Sequence, residues 1–544
     1  MAQGYVVGVD VGTGSARAGV FSATDGGRLA TASHPIRMWR PRTDHAEHSS
    51  RDIWESVGVA VRTAVSQAGI QPDTVIGIAF DATCSLVVLG SADDPVTVSP
   101  EGDDDRNVIV WMDHRAIAEA DEINAGSHDV LRYVGGAISP EMQPPKLLWI
   151  KRNLPSSWAR AAKCFDLADF LAYAASGRDV RSLCTNVCKW TYLGHEDRWD
   201  TDFLESIGLG DLFEGGRIAG PVRPLGEAIG PLTADAARHL GLTRNCIVGV
   251  GAIDAHAGGI GLLGGSIDPG RPETVLALIG GTSNCHMAAS REPIFVPGVW
   301  GPYYGAMVPG LWLTEGGQSA AGSLIDHAIE SGADHAAVLA DATASGRTVY
   351  EVLNERIDAL VHAQGLGDPA LLTRDLHVLD FHLGNRSPYA DPHARGVVDG
   401  LPLDRNAETD ARMVVATIEA VAYGTRAIVE ALCAEGFAIE RIVATGGGTK
   451  NPLWLRLHAD ATGLPITVGR ETESVLLGSA MLAAAASGAH PSVADAMAAM
   501  GGTGDTLSPN PDMRRFHDAK YAVWKDLYAA QKRHRALMAE TEES

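Results

Sequence analysis

Long apolar runs, basic charge and paired cysteines are all scarce in this chain. No stretch of about 18 apolar residues occurs, and the longest candidate, Ala480–Ala486, is short enough to read as a buried helix. No membrane-spanning helix is therefore expected. Lys and Arg number 44 against 67 Asp and Glu, a formal net charge of −23. That balance argues against a nucleic-acid-binding surface, while leaving room for a local basic phosphate site. The seven cysteines are odd in number and scattered over the sequence, which fits reduced core thiols better than a disulfide framework. Cys184 and Cys188, four apart, suit one face of a helix better than a zinc knuckle. The first residues show no charged, apolar and cleavage regions in succession, so a cytoplasmic location is expected.

Several familiar ligand motifs are missing too. No Gly-x-x-x-x-Gly-Lys-Ser/Thr occurs, which excludes a P-loop. Gly12-x-Gly14 lacks the third glycine of a dinucleotide fingerprint, because Arg17 stands there; the acidic residue precedes the turn, and a strand follows it. The acidic stretch around Gly102–Asp105 does not have EF-hand spacing and reads as a solvated loop. His34, His45 and His48 lie close in sequence but have no cysteine partners, so zinc is not expected there. No solenoid period is visible.

What is present is length, glycine and a repeated turn. At 544 residues the chain exceeds a single core, and two domains are the natural division. Residues 8–15 read Gly-Val-Asp-Val-Gly-Thr-Gly-Ser, and Leu278–Ser283 reads Leu-Ile-Gly-Gly-Thr-Ser. Each is an apolar strand, a turn of small hydroxyl-bearing residues and a second strand. Without a Cβ, glycine lets backbone N–H groups close on an anion. Two such turns, one in each half, point to a duplicated domain that grips one polyphosphate from both sides. Strands are predicted at Tyr5–Asp10, Ser15–Phe21, Arg28–Ile36, Val75–Ala79, Ser85–Leu89, Val108–Met112, Ile247–Ala252 and Ile442–Thr445. Helices are predicted at Asp52–Ala68, with Ile53, Val57, Val61 and Val65 on one face, at Ser474–Ala486 and at Met513–Glu540. In the last, Phe516, Tyr521, Trp524 and Leu527 are the expected docking contacts.

Asp10 ends its strand, suited to a phosphate-bound metal. Asp254 follows an apolar strand in Ile253-Asp254-Ala255-His256. Phosphoryl transfer to an alcohol needs a carboxylate there to accept the hydroxyl proton; alone Asp254 reads better as a helix N-cap, and the constellation around it favours catalysis. An ordinary hairpin is the lesser reading of Asp10–Ser15 taken alone, and Gly280–Ser283 beside it weakens that reading further. Lys189 is a lone cation in an apolar stretch, either a snorkelling side chain or a sugar-hydroxyl donor. Gly446–Gly448 follows a strand and permits close approach of a base or ribose, with Asn451 at hand.

Together with Trp111–Arg115, Lys146–Trp149 and Gly384–Pro388, these segments identify a resemblance from about Tyr5 to about Gly488. The chain resembles the FGGY carbohydrate kinases, within the sugar kinase, actin and heat-shock chaperone ATPase superfamily. Phe80–Leu89, Thr185–Tyr192 and Thr314–Ser319 are most similar to the D-ribulokinase group of pentulose kinases, and Gln143 departs from the general family pattern. The resemblance implies two actin-like (ribonuclease H-like) α/β domains with a cleft between them. Residues 1–257 would bind sugar, 258–488 nucleotide, and 489–544 would form a helical extension. It implies Asp254 as catalytic base, Asp10 and Asp254 near the magnesium of ATP, and Thr13, Gly14, Ser15 and Arg17 beside the transferred phosphate. Gly281, Thr282 and Ser283 would meet the phosphates from the second domain, and Gly446, Gly447 and Asn451 the adenosine. Thr83, Cys84, Trp111, Lys189, Asp254 and Glu315 would contact the pentulose, with Asp113 and Arg115 behind. The implied reaction is ATP-dependent phosphorylation of D-ribulose. L-ribulose, ribitol, D-xylulose or a tetritol are the alternative substrates, and a nucleotide-dependent sensor is the non-enzyme alternative. A homodimer is common in similar kinases.

Overall fold

The computed structural model describes residues 4–268 and 270–539. Two seven-stranded sheets organise it on one plan. The first runs Ala228–Pro231, Ile247–Gly249, Val75–Ala82, Tyr5–Val11, Ser15–Ser22, Arg28–Pro35, with Ala252–Ile253 also paired to Val75–Ala82. Tyr5–Val11, Ser15–Ser22 and Arg28–Pro35 are successively antiparallel, and Val75–Ala82 and Ile247–Gly249 add in parallel. The second sheet runs Trp300–Tyr304, Trp312–Gln318, Asn284–Ser290, Val275–Gly280, Arg441–Gly446, Ile466–Gly469, Thr503–Leu507. Here too an antiparallel trio, Val275–Gly280, Asn284–Ser290 and Trp312–Gln318, is followed by parallel Arg441–Gly446 and Ile466–Gly469. The duplication expected from the two turns is thus a duplication of whole sheets, and the architecture is the expected pair of actin-like α/β domains.

Strand Tyr5–Val11 is apolar almost throughout because both its faces are covered. On one side lies the Ser50–Ala68 helix, whose buried face includes Ile53, Val57, Val61 and Val65. Ser49 starts this helix by accepting from the Asp52 N–H, and Gly69, in the left-handed region, ends it. On the other side lies Ser474–Ala486, from the far end of the chain. Their approach is close enough that a Cβ at Gly8 would overlap the Leu476 carbonyl, and one at Gly77 the Ala483 carbonyl. The same helix crosses Asp254–Leu263 backbone to backbone: a Cβ at Gly478 would overlap the Ala257 carbonyl, and one at Gly261 the Ser474 carbonyl. Asp254–Leu263 in turn lies against the second sheet, with Gly258 facing Ile279 and Gly259 facing Met287 and Met307. These two small-residue helices join the halves.

Several expectations need correcting. The predicted strand Val108–Met112 is only Val108–Ile109, because the chain turns where the Asp113 N–H bonds the Val110 carbonyl. Ser85 lies outside its strand, which is Leu86–Leu89, in a tight turn whose N–H bonds the Thr83 carbonyl. Ile247–Ala252 is broken: Gly251 sits against the Phe80 carbonyl, and pairing resumes at Ala252–Ile253. The segment from 489 onward is not purely helical, since Thr503–Leu507 extends the second sheet beside Ile466–Gly469. Residue 257, the expected end of the first domain, lies inside the Asp254–Leu263 helix. The terminal helix is described over Arg514–Ala539, so Glu540 lies outside the described residues. Tyr521 and Trp524 are buried in it, Phe516 and Leu527 are partly buried, and Trp524 Nε1 donates to Asp380 at 3.0 Å. The acidic loop is held by arginines: Arg51 meets Asp105, Arg160 meets Asp104 and Arg106 meets Asp103.

Candidate active site

Sheet register brings two carboxylates to one edge, and the start of a helix adds a third. Asp10 stands opposite Asp81 in the parallel strand, and Asp81 stands opposite Ala252, two residues before Asp254. Asp254 opens its helix with Ile253 as N-cap, and its Oδ1 accepts from the Ala255 N–H at 2.7 Å. Burial, and then the charge of Asp10, push the Asp254 carboxyl up to about 6. Asp81 is wholly buried. Its Oδ2 accepts from Ser479 Oγ at 2.5 Å, while Oδ1 has no hydrogen-bond partner among the described residues. Burial first and Asp10 second drive its pKa well above the usual carboxylate range. Arg17, cross-strand from Asp10, donates Nε to Asp10 Oδ2 at 2.7 Å and a second nitrogen to Glu473 at 2.8 Å.

The loop Gly12–Ser15 closes the first hairpin, with Gly12 N–H bonded to the Ser15 carbonyl at 3.0 Å. Thr13 Oγ1 accepts from Trp111 Nε1 at 3.0 Å, which ties a residue expected at the sugar to one expected at the phosphate. The second hairpin closes in the same way, Gly281 N–H to the Ser283 carbonyl at 3.0 Å, with Gly281 and Thr282 exposed. Gly446 has a φ of 97° and would overlap Gly280 if it carried a Cβ, so the glycine turn seats directly beside the second hairpin. Asn451 does structural work: its Oδ1 accepts from Leu453 N–H at 3.0 Å, capping Pro452–Thr462, and from Asn354 at 2.9 Å.

Beyond this edge, charged side chains from several elements gather. Lys189 ends the Leu183–Lys189 helix. Burial works against its charge, but Cys84, Tyr303, Glu141 and Glu315 outweigh that and raise its pKa well above normal. Its ammonium lies 5.8 Å from the Trp300 ring centre, and the Arg386 guanidinium 5.2 Å from the same ring. Glu315 comes from the middle of Trp312–Gln318. Burial opposes its ionisation, but the His256 hydrogen bond and charge, then Lys189 and Arg386, bring its pKa below normal. Thr83 and Cys84 are buried in the turn after Asp81, and burial pushes the Cys84 thiol up to about 11. Asp113 and Arg115 form a buried brace, with Arg115 donating to Asp113 at 2.8 and 2.7 Å, to Glu47 at 2.9 Å and to the Val98 carbonyl at 2.6 Å. Gln143 bridges the Cys84 carbonyl, at 3.2 Å, and Asp166, at 2.9 Å.

The structure adds Asp81, Glu141, His256, Tyr303 and Arg386 to the residues expected here. Arg386 was marked in sequence by its Gly-Asn-Arg-Ser-Pro motif without a role, and His256 by its place two residues after Asp254. The three early histidines do not gather: His45 pairs with Asp44 and His34 with Ser56. Among the described residues, potential metal-binding side chains meet in a trio at Cys184, Cys188 and His256. No helix among the described residues is long and apolar enough to cross a membrane.

Comparison with known proteins gives this geometry a context. Residues 5–261 match the N-terminal domain of the FGGY family of carbohydrate kinases, and residues 276–487 its C-terminal domain. The chain is 47% identical to an FGGY carbohydrate kinase domain-containing protein of Homo sapiens, over 98% of each chain. It is 40% identical to a D-ribulokinase of Saccharomyces cerevisiae, over 89% of this chain and 72% of that one. A ribulokinase of Mycolicibacterium smegmatis is 34% identical, over 96% and 93%. In fold it is similar to a xylulose kinase of Rhodospirillum rubrum, with a TM-score of 0.79 at 24% identity over 97% and 99% of the two chains.

Proposed function

The chain belongs to the FGGY family of carbohydrate kinases, and from that premise we propose that it transfers the γ-phosphoryl group of ATP to a terminal hydroxyl of D-ribulose. The observation that carries this reading is the position of Asp254, within electrostatic reach of Asp10 on the phosphate side and Lys189 on the sugar side. The D-ribulokinase and ribulokinase relatives, at 40% and 34% identity, favour a pentulose.

In the proposed mechanism, Lys189, Glu315 and Trp111 hold the sugar hydroxyls over Thr83 and Cys84. The indole N–H of Trp111 and the hydroxyl of Thr13 already share a hydrogen bond, so sugar and phosphate positions are set by one linked frame. Asp254 accepts the proton of the terminal hydroxyl as its oxygen attacks the γ-phosphorus in line, and the bond to ADP breaks. A base near 6 is ionised at neutral pH yet basic enough to take the proton. Thr13, Gly14, Ser15 and Arg17 face the transferred phosphoryl group from one side. Gly281, Thr282 and Ser283 face the phosphates from the other, with Gly446, Gly447 and Asn451 bordering adenosine. Carboxylate oxygens are the donors a magnesium ion prefers; burial first and the charge of Asp10 second raise Asp81 and Asp254, and a cation would relieve the second of these. Asp10 and Asp254 would hold the ion, which when bound neutralises phosphate charge. Closure of the two halves about their glycine-rich crossing would exclude water and limit ATP hydrolysis.

The test is coupled ADP release with magnesium-ATP against D-ribulose, L-ribulose, ribitol, D-xylulose and tetritols. Highest kcat/KM on D-ribulose is expected. A higher value on another polyol keeps the kinase and replaces the substrate.

A further inference from the structure

Cys184 and Cys188 lie one turn apart on the Leu183–Lys189 helix, and the His256 ring reaches them from the first turn of Asp254–Leu263. Cys184 Sγ is 3.1 Å from His256 Nδ1, and Cys188 Sγ is 4.0 Å from the same nitrogen. The three donor atoms lie within 4.8 Å of one another, and all three side chains are buried. We propose that Cys184, Cys188 and His256 form a binding site for a single soft divalent cation of the zinc class, set behind the sugar pocket.

Three observations converge on it. The first is spacing: donors around one tetrahedral zinc, with bonds of about 2.0–2.1 Å to nitrogen and 2.3 Å to sulfur, stand roughly 3.5–3.8 Å apart. The trio already sits close to that separation without a change of helix. The second is the far side of the imidazole. His256 Nε2 is 3.2 Å from Glu315 Oε2, so the carboxylate takes the Nε2–H and leaves Nδ1 as the donor toward the sulfurs. A carboxylate behind a histidine ligand is how proteins fix tautomer and ring orientation at zinc. The third is the Ile253 N–H, which donates to Cys184 Sγ at 3.4 Å and favours a thiolate there. Two helix cysteines that merely filled a core would have no need of an imidazole between them braced by an acid.

The charge balance is even. Two protons leave the trio as the dication enters, so the net charge facing Lys189 and Asp254 is unchanged and the Glu315 hydrogen bond is kept. Three protein donors leave one coordination position open. The bound ion would clamp the end of the Leu183–Lys189 helix to the start of Asp254–Leu263, the two elements that carry Lys189 and Asp254. Nothing in this site depends on which sugar is phosphorylated.

The experiment is titration of the chelator-stripped full chain with Co²⁺. One equivalent should give a thiolate-to-cobalt absorption band in the near ultraviolet with tetrahedral visible bands, and Zn²⁺ should displace it. Cys184→Ser and Cys188→Ser should lose the band, while Cys433→Ser, at an exposed cysteine, should keep it. Glu315→Gln should weaken Co²⁺ binding about 10- to 100-fold. No thiolate band in the wild-type chain at one equivalent overturns the proposal, and that measurement stands even if a variant fails to fold. A band that survives both Cys184→Ser and Cys188→Ser overturns it equally.

Discussion

Replacing Asp254 with Asn should lower turnover and raise stability together, and the two effects come from one carboxylate. Its pKa stands at about 6 against an ordinary 3.8, through burial and the charge of Asp10. The folded chain therefore binds that proton more tightly than the unfolded chain does. Above pH 6 the ionised carboxylate opposes folding, and the penalty disappears as pH falls below about 4, where both states are protonated. A shift of this size corresponds to about 3 kcal/mol. Asn keeps an acceptor for the Ala255 N–H and removes the charge, so in magnesium-free buffer at pH 7.5 the variant should unfold at higher denaturant, with the gain fading toward pH 4. Loss of the base should cost about 10²–10⁴ in kcat/KM, or roughly 3–5 kcal/mol of transition-state stabilisation. In the wild type the same group should give kcat/KM an acid limb, falling about tenfold per pH unit below 6. The assays are ADP release from pH 5 to 9 and urea denaturation of both proteins. Turnover of the variant within tenfold of wild type would refute the base assignment. A variant less stable than wild type at pH 7.5 would refute the electrostatic account of the carboxylate.

Three further outcomes are expected. Gly478→Ala drives a methyl into the Ala257 carbonyl at the helix crossing and should destabilise by about 1–3 kcal/mol or more; a denaturation midpoint equal to wild type would show that the helices separate freely. His286 is buried with Nε2 3.0 Å from Thr425 Oγ1, and burial lowers its pKa to about 3. Its unfolded form takes up a proton below pH 6.5 while the folded form does not, so stability is lost as pH falls. Wild type should lose about 2 kcal/mol between pH 7 and pH 5 that His286→Gln does not, read as a steeper pH dependence of the urea midpoint; parallel profiles would contradict it. Thr282→Val should raise the KM for ATP several-fold more than that for sugar, and the reverse pattern would reassign the second hairpin.

Strand–turn–strand pairs were legible because their chemistry is local. Tyr5–Val11 and Ser15–Ser22, like Val275–Gly280 and Asn284–Ser290, meet across a few small residues, and apolar content with glycine punctuation is enough to place them. The Ser474–Ala486 helix was legible to its ends because its run of leucine, methionine and alanine is made of strong helix formers. Strands set by distant partners were less so: Val108–Ile109 is cut short by a brace involving Asp113, Arg115 and Glu47, which no local pattern announces. The site divides the same way. Asp10, Asp254, Lys189 and Glu315 stand at strand or helix ends or in motifs. Asp81 was hidden in an apolar run, and only its register against Asp10 gives it meaning. The partnership of His256 with Cys184 and Cys188 spans about seventy residues, so their spacing showed a helix face and nothing of the third donor.

The helix that covers one face of the first sheet is made almost last. Gly8 waits for Leu476, and Gly77 for Ala483. During synthesis all seven strands of the first sheet can pair as they emerge, but one face of that sheet stays bare until the ribosome has passed residue 486. A nascent chain therefore presents an apolar sheet for most of its translation, a surface suited to chaperone capture. The first 257 residues expressed alone should aggregate, and adding the Ser474–Ala486 helix in trans should restore their solubility.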